Sequence, residues 1–211
     1  MARMEHQVTL HFESYIADPY WPTLAQVIDI QKKSRMNMQR SEEKRRSALT
    51  EYLLREGLSL EEYERMVQLS SRQWYRVDND DQTSEIIIPR HQLSAALTNA
   101  AQVSPSSVIK TAEAVNLRSV ISTTDFRTGK YSADGIFSRY VKHDATNQRR
   151  YDENEYIEDF DAVGVIRYDP DRIKDKDVYA LFSFMLRESA VGACRKMGYG
   201  RGEVKSIKPM E

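Results

Sequence analysis

From Gln7 to Ile16 the apolar residues Val8, Leu10 and Phe12 alternate with Thr9, His11 and Glu13, the period-two pattern of a half-buried strand. Pro19 and Pro22 bar its continuation. From Thr23 to Gln68 the spacing turns helical. Leu24, Val27, Ile28 and Ile30 come first, then Leu49, Tyr52 and Leu53, which predicts two or three helices. Glu42 and Glu43 favour a helix start, Gly57 a helix end, and Ser59 with Glu62 forms a capping-box pair. The polar run Asp78 to Ser84 is expected to be a mobile loop. Ile86 to Ile88 is a short strand stopped by Pro89, and Leu93, Ala96, Leu97, Ala100 and Ala101 predict a core helix over 90–102.

Beyond a loop at 104–107, Leu117, Val120 and Ile121 suggest a second main strand over 115–123. Residues 126–131 read as a turn around Gly129. Two strand-like pieces around Asn147 predict a long hairpin over 136–156. Ala162, Val163, Val165 and Ile166 mark a third strand over 160–168. Val178, Leu181, Phe182, Met185 and Leu186 mark an amphipathic helix over 177–190, with Asp175 or Asp177 as its N-cap. A last strand spans 203–208. With the two insertions set aside the order is βαββαβ, an α+β, ferredoxin-like (RRM-like) core whose open sheet face commonly serves single-stranded RNA. The expected organisation is one domain over 1–211, with a helical insertion at 21–84 after the first strand and a hairpin insertion at 124–159.

Between the last helix and the last strand, four of the eight glycines fall within Gly192 to Gly202. Glycine permits positive φ and close backbone approach, so the stretch is either a structural turn or an anion-binding loop. In the second reading its backbone N–H groups form a phosphate nest, Arg195, Lys196 and Arg201 supply charge, and Gly198, Gly200 and Gly202 shape it. Charged residues make up 30% and hydrophobic ones 40%, a globular balance. No run of about 18 apolar residues and no signal-peptide core is present, so no membrane association and a cytoplasmic location are expected. Cys194 is the only cysteine, which excludes an intrachain disulfide and a multi-cysteine zinc site; a packed thiol is expected. No metal site and no cofactor is indicated.

The net charge of −1 conceals blocks. Lys32, Lys33, Arg35, Arg40, Lys44, Arg45 and Arg46 stand together, Arg139, Lys142, Arg149 and Arg150 follow on the hairpin, and residues 152–161 are strongly acidic. Separated blocks suit a polyanion on one side or head-to-tail stacking, and a solvated helix face is the plain alternative for 42–46. Phosphate and base recognition needs cations beside flat rings. Beyond the glycine loop this nominates Lys32, Lys33, Arg35 and Arg40; Arg90, His91 and Gln92 at a helix N-terminus, where orphan N–H groups favour an anion; Arg139 beside Tyr140, with Lys142, Arg149 and Arg150; and Trp74, Tyr75 and Arg76.

The entry Ile87-Ile88-Pro89-Arg90-His91-Gln92-Leu93-Ser94-Ala95-Ala96-Leu97 resembles the entry into the first helix of the RAMP superfamily, the RNA-binding subunits of CRISPR effector complexes. Here Arg90, His91 and Gln92 stand where that family has a glycine-serine run. The close, Gly192 to Val204, is similar to the superfamily's C-terminal glycine-rich loop. The resemblance implies a backbone-type subunit of an antiviral ribonucleoprotein that holds guide RNA without regard to sequence. It implies single-stranded guide RNA or a guide–target duplex as ligand, other CRISPR-type subunits as partners, and head-to-tail assembly into a helical filament. The hairpin would be a thumb reaching a neighbour, and the helical insertion would help form the groove. Some members cleave with an aspartate on a loop after the first strand, which nominates Asp18 or Asp29; a lone loop aspartate is ordinarily a turn or cap residue. A virus-encoded mimic or self-assembling interaction protein without RNA, and a metal-dependent ribonuclease, remain the alternatives.

Overall fold

A computed structural model describes residues 4–18, 21–104, 117–142 and 149–210. The chain divides into two compact units, residues 18–74 and the remainder.

The larger unit is built on an antiparallel sheet. Its long strands are β1 (Met4–Tyr15), β7 (Arg149–Tyr168) and β8 (Gly202–Pro209). β1 lies between the other two, antiparallel to both, and β4 (Ile121–Thr123) pairs with the far side of β7. β2 (Tyr75–Arg76), β3 (Ile86–Ile88) and β5 (Phe126–Arg127) extend that side, and β6 (Gly135–Lys142) folds against the first half of β7. Alternation along β1 turns Val8, Leu10 and Phe12 into the core, with Ala162 and Ile166 of β7 beside them. The helices α4 (Arg90–Val103) and α6 (Asp175–Phe184) pack against each other over this core, contributing Leu93, Leu97 and Ala100 from one and Val178, Leu181 and Phe182 from the other.

The opposite sheet face differs from the expected RNA platform. Gln7, Thr9 and His11 of β1 stand beside Val165, Val163 and Asp161 of β7, so the one ring this stretch offers is the His11 imidazole, held against Asp161. Its charges are paired instead: Glu5 with Arg167 at 2.6 Å, and Asp161 with His11 Nδ1 at 3.0 Å and Lys205 Nζ at 3.1 Å. Partial burial raises the Asp161 pKa, but these two partners outweigh it and hold the carboxyl below its ordinary value.

The unit 18–74 holds α1 (Trp21–Lys33), α2 (Glu42–Glu56) and α3 (Leu60–Ser70) around Val27, Ile30, Leu49, Tyr52, Leu53 and Tyr63. Its local signals act as expected: Glu42 and Glu43 lie in the first turn of α2, Gly57 closes that helix at φ 74°, and Ser59 with Glu62 makes the full capping box on α3; Ser41, not singled out beforehand, caps α2 by accepting from the Lys44 N–H at 3.3 Å.

Several expectations are corrected. Residues 117–120 form a helical turn, α5, and only Ile121–Thr123 of the expected 115–123 strand is extended. Leu117, Val120 and Ile121 sit at i, i+3 and i+4, a spacing that one helical face buries equally well. The strand expected at 160–168 is the second half of β7, continuous with the hairpin, whose turn around Asn147 lies outside the described residues. Lys174 occupies the N-cap of α6; Asp175 instead accepts the Tyr168 hydroxyl at 2.7 Å, on a tyrosine whose burial, with that carboxylate, drives its pKa upward. That helix ends at Phe184 and continues as a π turn, Met185–Ser189. The polar run 78–84 is turned as its residues suggest, with Asp78 and Asp81 accepting from the N–H groups of Asp80 and Thr83 at 2.9 and 2.8 Å. No helix among the described residues is long and apolar enough to cross a membrane.

Candidate functional site

The glycine-rich stretch leaves the π turn at Ala190 and folds back on the end of β1. Gly200 N–H donates to the Ser14 carbonyl at 2.7 Å, Ala193 N–H to Ile16 at 2.8 Å, and Val191 N–H to Gly200 at 2.9 Å. Gly192 and Gly200 have φ of 82° and 77°, and a Cβ added to Gly200 would stand 1.8 Å from the Val191 carbonyl oxygen. These glycines permit backbone-to-backbone packing. The amides of Val191, Ala193 and Gly200, expected in a phosphate nest, face protein carbonyls; the nest is corrected to a packed turn at these three positions.

What the turn presents outward is its apex. Arg195, Lys196 and Met197 form one turn of 3-10 helix, all three exposed, closed by Gly198 at φ 98°. Two residues on, Tyr199 sits 5.2 Å from the Phe137 ring and 5.9 Å from the Tyr156 ring, and partial burial pushes its phenol pKa up. The apex cations are thereby joined to the base of the β6–β7 hairpin. Tyr199, Phe137 and Tyr156 were not singled out in the sequence; the available signal was the alternation that puts Gly135, Phe137 and Arg139 on one hairpin face.

Arg139 is half-buried on that face, opposite Asp152. Lys142 and Arg149 occupy one cross-strand position and Arg150 faces Val141; the surroundings of these three side chains lie outside the described residues. The other hairpin face exposes Ile136, Tyr140 and Tyr151, the two tyrosine rings 5.2 Å apart, with Glu153 and Glu155 beside them.

At the start of α4, Arg90 and His91 are exposed and line a shallow cleft with Ser94, Ser122 and Thr123. Gln92 is corrected: only 5% exposed, it accepts the buried Tyr15 hydroxyl at 2.6 Å. The anion at this helix N-terminus is the protein's own. Asp125 accepts the Arg90 N–H at 2.7 Å. Trp74, Tyr75 and Arg76 are core residues rather than a surface motif, with the Arg76 guanidinium donating to the Ser84 and Tyr131 carbonyls.

In the helical unit Lys32, Arg35 and Arg40 are exposed, and Lys33 pairs with Asp29 at 2.7 Å, a partner that raises the lysine pKa. Asp29 therefore sits in α1 with a cation on it, not on a loop; Asp18 alone follows β1 as a half-buried loop residue. Among the described residues no group of three or more His, Cys, Asp or Glu is disposed to hold a metal ion.

No protein-family model matches the sequence, and no curated protein matches it. A solved structure does: a chain in the cryo-EM structure of the Type III-B Cmr-beta bound to cognate target RNA superposes with a TM-score of 0.53 at 11% identity. The protein has the fold of that chain. The match covers 99% of this protein and 61% of the neighbour, so the protein spans about three fifths of the neighbour's length.

Proposed function

We propose that this protein is a non-catalytic RNA-binding subunit of a CRISPR-type ribonucleoprotein, built on a ferredoxin-like core. The observation that carries the reading is the exposed Arg195–Lys196 apex, joined through Tyr199 to Phe137 and Tyr156. Cations for phosphates beside rings for bases are what sequence-independent single-strand binding requires. The strand order β8-β1-β7-β4, with every neighbour antiparallel, supports a ferredoxin-like core, and the shared fold with a chain of an RNA-bound Cmr-beta assembly supports a place in such a complex. Guide RNA, other subunits and a head-to-tail copy are the partners this reading entails. Arg90 and His91 at their cleft, and Lys32, Arg35 and Arg40, are further proposed contacts.

One observation favours a second reading, an assembly protein that needs no RNA. The outward hairpin face combines Ile136, Tyr140 and Tyr151 with Glu153 and Glu155, and carboxylates repel phosphate while the apolar area suits a protein partner.

Gentle purification decides between them. On the first reading the protein elutes with RNA, seen in the absorbance ratio and recovered by sequencing, and Arg195→Gln with Lys196→Gln weakens binding of a labelled poly(U) strand by about tenfold. A wild-type protein that elutes free of nucleic acid and ignores poly(U) at low salt sinks the RNA reading. Assemblies that survive nuclease treatment support the second.

A further inference from the structure

The glycine loop's third cation behaves differently from the other two. The Arg201 guanidinium donates to the backbone carbonyl of Arg187, inside the π turn that ends α6. A helix end leaves carbonyls without intrahelical partners and gathers partial negative charge, and an arginine side chain answers both needs. Arg201 also holds β1, since its own carbonyl accepts the Glu13 N–H at 3.1 Å. One residue thus ties the helix end to the strand on which the loop is folded.

The segment between those anchors is one that needs holding. Ala190 and Cys194 have φ of 57° and 53°, left-handed conformations that non-glycine residues keep only where the surroundings enforce them. Ser189, the last residue of the π turn, is 9% exposed and its hydroxyl has no hydrogen-bond partner among the described residues. The helix end therefore draws no support from that side chain.

We infer that Arg201 is a positioning residue: its guanidinium clamps the end of α6 to the glycine loop and fixes where Arg195 and Lys196 stand, without itself meeting phosphate. The clamp is a property of the protein alone; only its consequence for Arg195 and Lys196 rests on the RNA-binding reading. The test has two arms. In RNA-free protein, Arg201→Met should speed hydrogen exchange at the Val191, Ala193 and Gly200 amides by about tenfold or more. Arg201→Lys should restore protection, because an ammonium can donate to the same carbonyl. With poly(U), Arg201→Met should weaken binding with its salt dependence unchanged, because Arg195 and Lys196 still reach phosphate once the loosened loop is ordered on the strand, whereas Arg195→Gln and Lys196→Gln should each take about one ion's worth off the salt slope. Unchanged exchange in Arg201→Met overturns the clamp, and so does a salt slope that falls as it does for Arg195→Gln. Should wild-type protein bind no poly(U), the proposed function fails, and the exchange arm decides the clamp by itself.

Discussion

Gly198 and Gly200 stand two residues apart in one loop, both at positive φ, and have different reasons to be glycine. A Cβ on Gly198 meets nothing within 4 Å among the described residues, while one on Gly200 meets the Val191 carbonyl oxygen at 1.8 Å. Gly198→Ala should therefore cost only the left-handed penalty, about 1–2 kcal/mol. Gly200→Ala adds a backbone clash, and about 3 kcal/mol or more is expected. Urea unfolding of the two variants measures the difference; equal losses would show that Gly200 does not pack against the Val191 backbone. The clustering of glycines was visible in the sequence, but the distinction between these two was not, because it depends on a carbonyl that reaches Gly200 only once the chain has turned back. The same holds for side chains. Gln92 and His91 are neighbours in a polar run, yet one is buried against Tyr15 and the other exposed.

Elements were legible where their signals are local. Gly57, Ser59 and Glu62 mark the ends of α2 and α3 through contacts within a turn, and the structure uses them so. The start of α4 is different: Pro89 provides no side-chain cap, and the carboxylate on the first N–H belongs to Asp125, 35 residues downstream. Asp125→Ala should destabilise the fold by about 1 kcal/mol, the usual loss for an N-cap side chain, and Asp125→Asn should recover most of it. Thermal unfolding of both variants checks this, and an unaffected melting temperature for Asp125→Ala would show the cap to be without energetic effect. Over 117–120 α5 replaces the expected strand for a related reason. Three apolar residues at i, i+3 and i+4 satisfy a helical turn, and packing against α4 decides.

For the molecule as a whole, charge distribution sets a measurable limit. The net charge of −1 gives little general attraction for a polyanion, so the proposed RNA binding rests on a local set of cations. If the Arg195–Lys196 apex acts alone, the logarithm of the poly(U) association constant should fall with the logarithm of salt at a slope of about −1 to −2. Participation of Lys32, Arg35 and Arg40 would steepen the slope beyond about −3, which a salt titration distinguishes directly. By itself the sequence determined the order of the long helices and strands, though not α5, β2 or β5, together with the strand-one alternation and the glycine loop before the last strand, because periodicity, caps and turn residues act over a few positions. Only the tertiary structure decided that the loop's amides face β1, that Asp125 fills the α4 N-terminus, that the open sheet face carries paired charges, and that Tyr199 joins the apex to the hairpin. Each of these depends on which distant groups the sheet brings within hydrogen-bonding or ring-contact distance, and no local spacing encodes that.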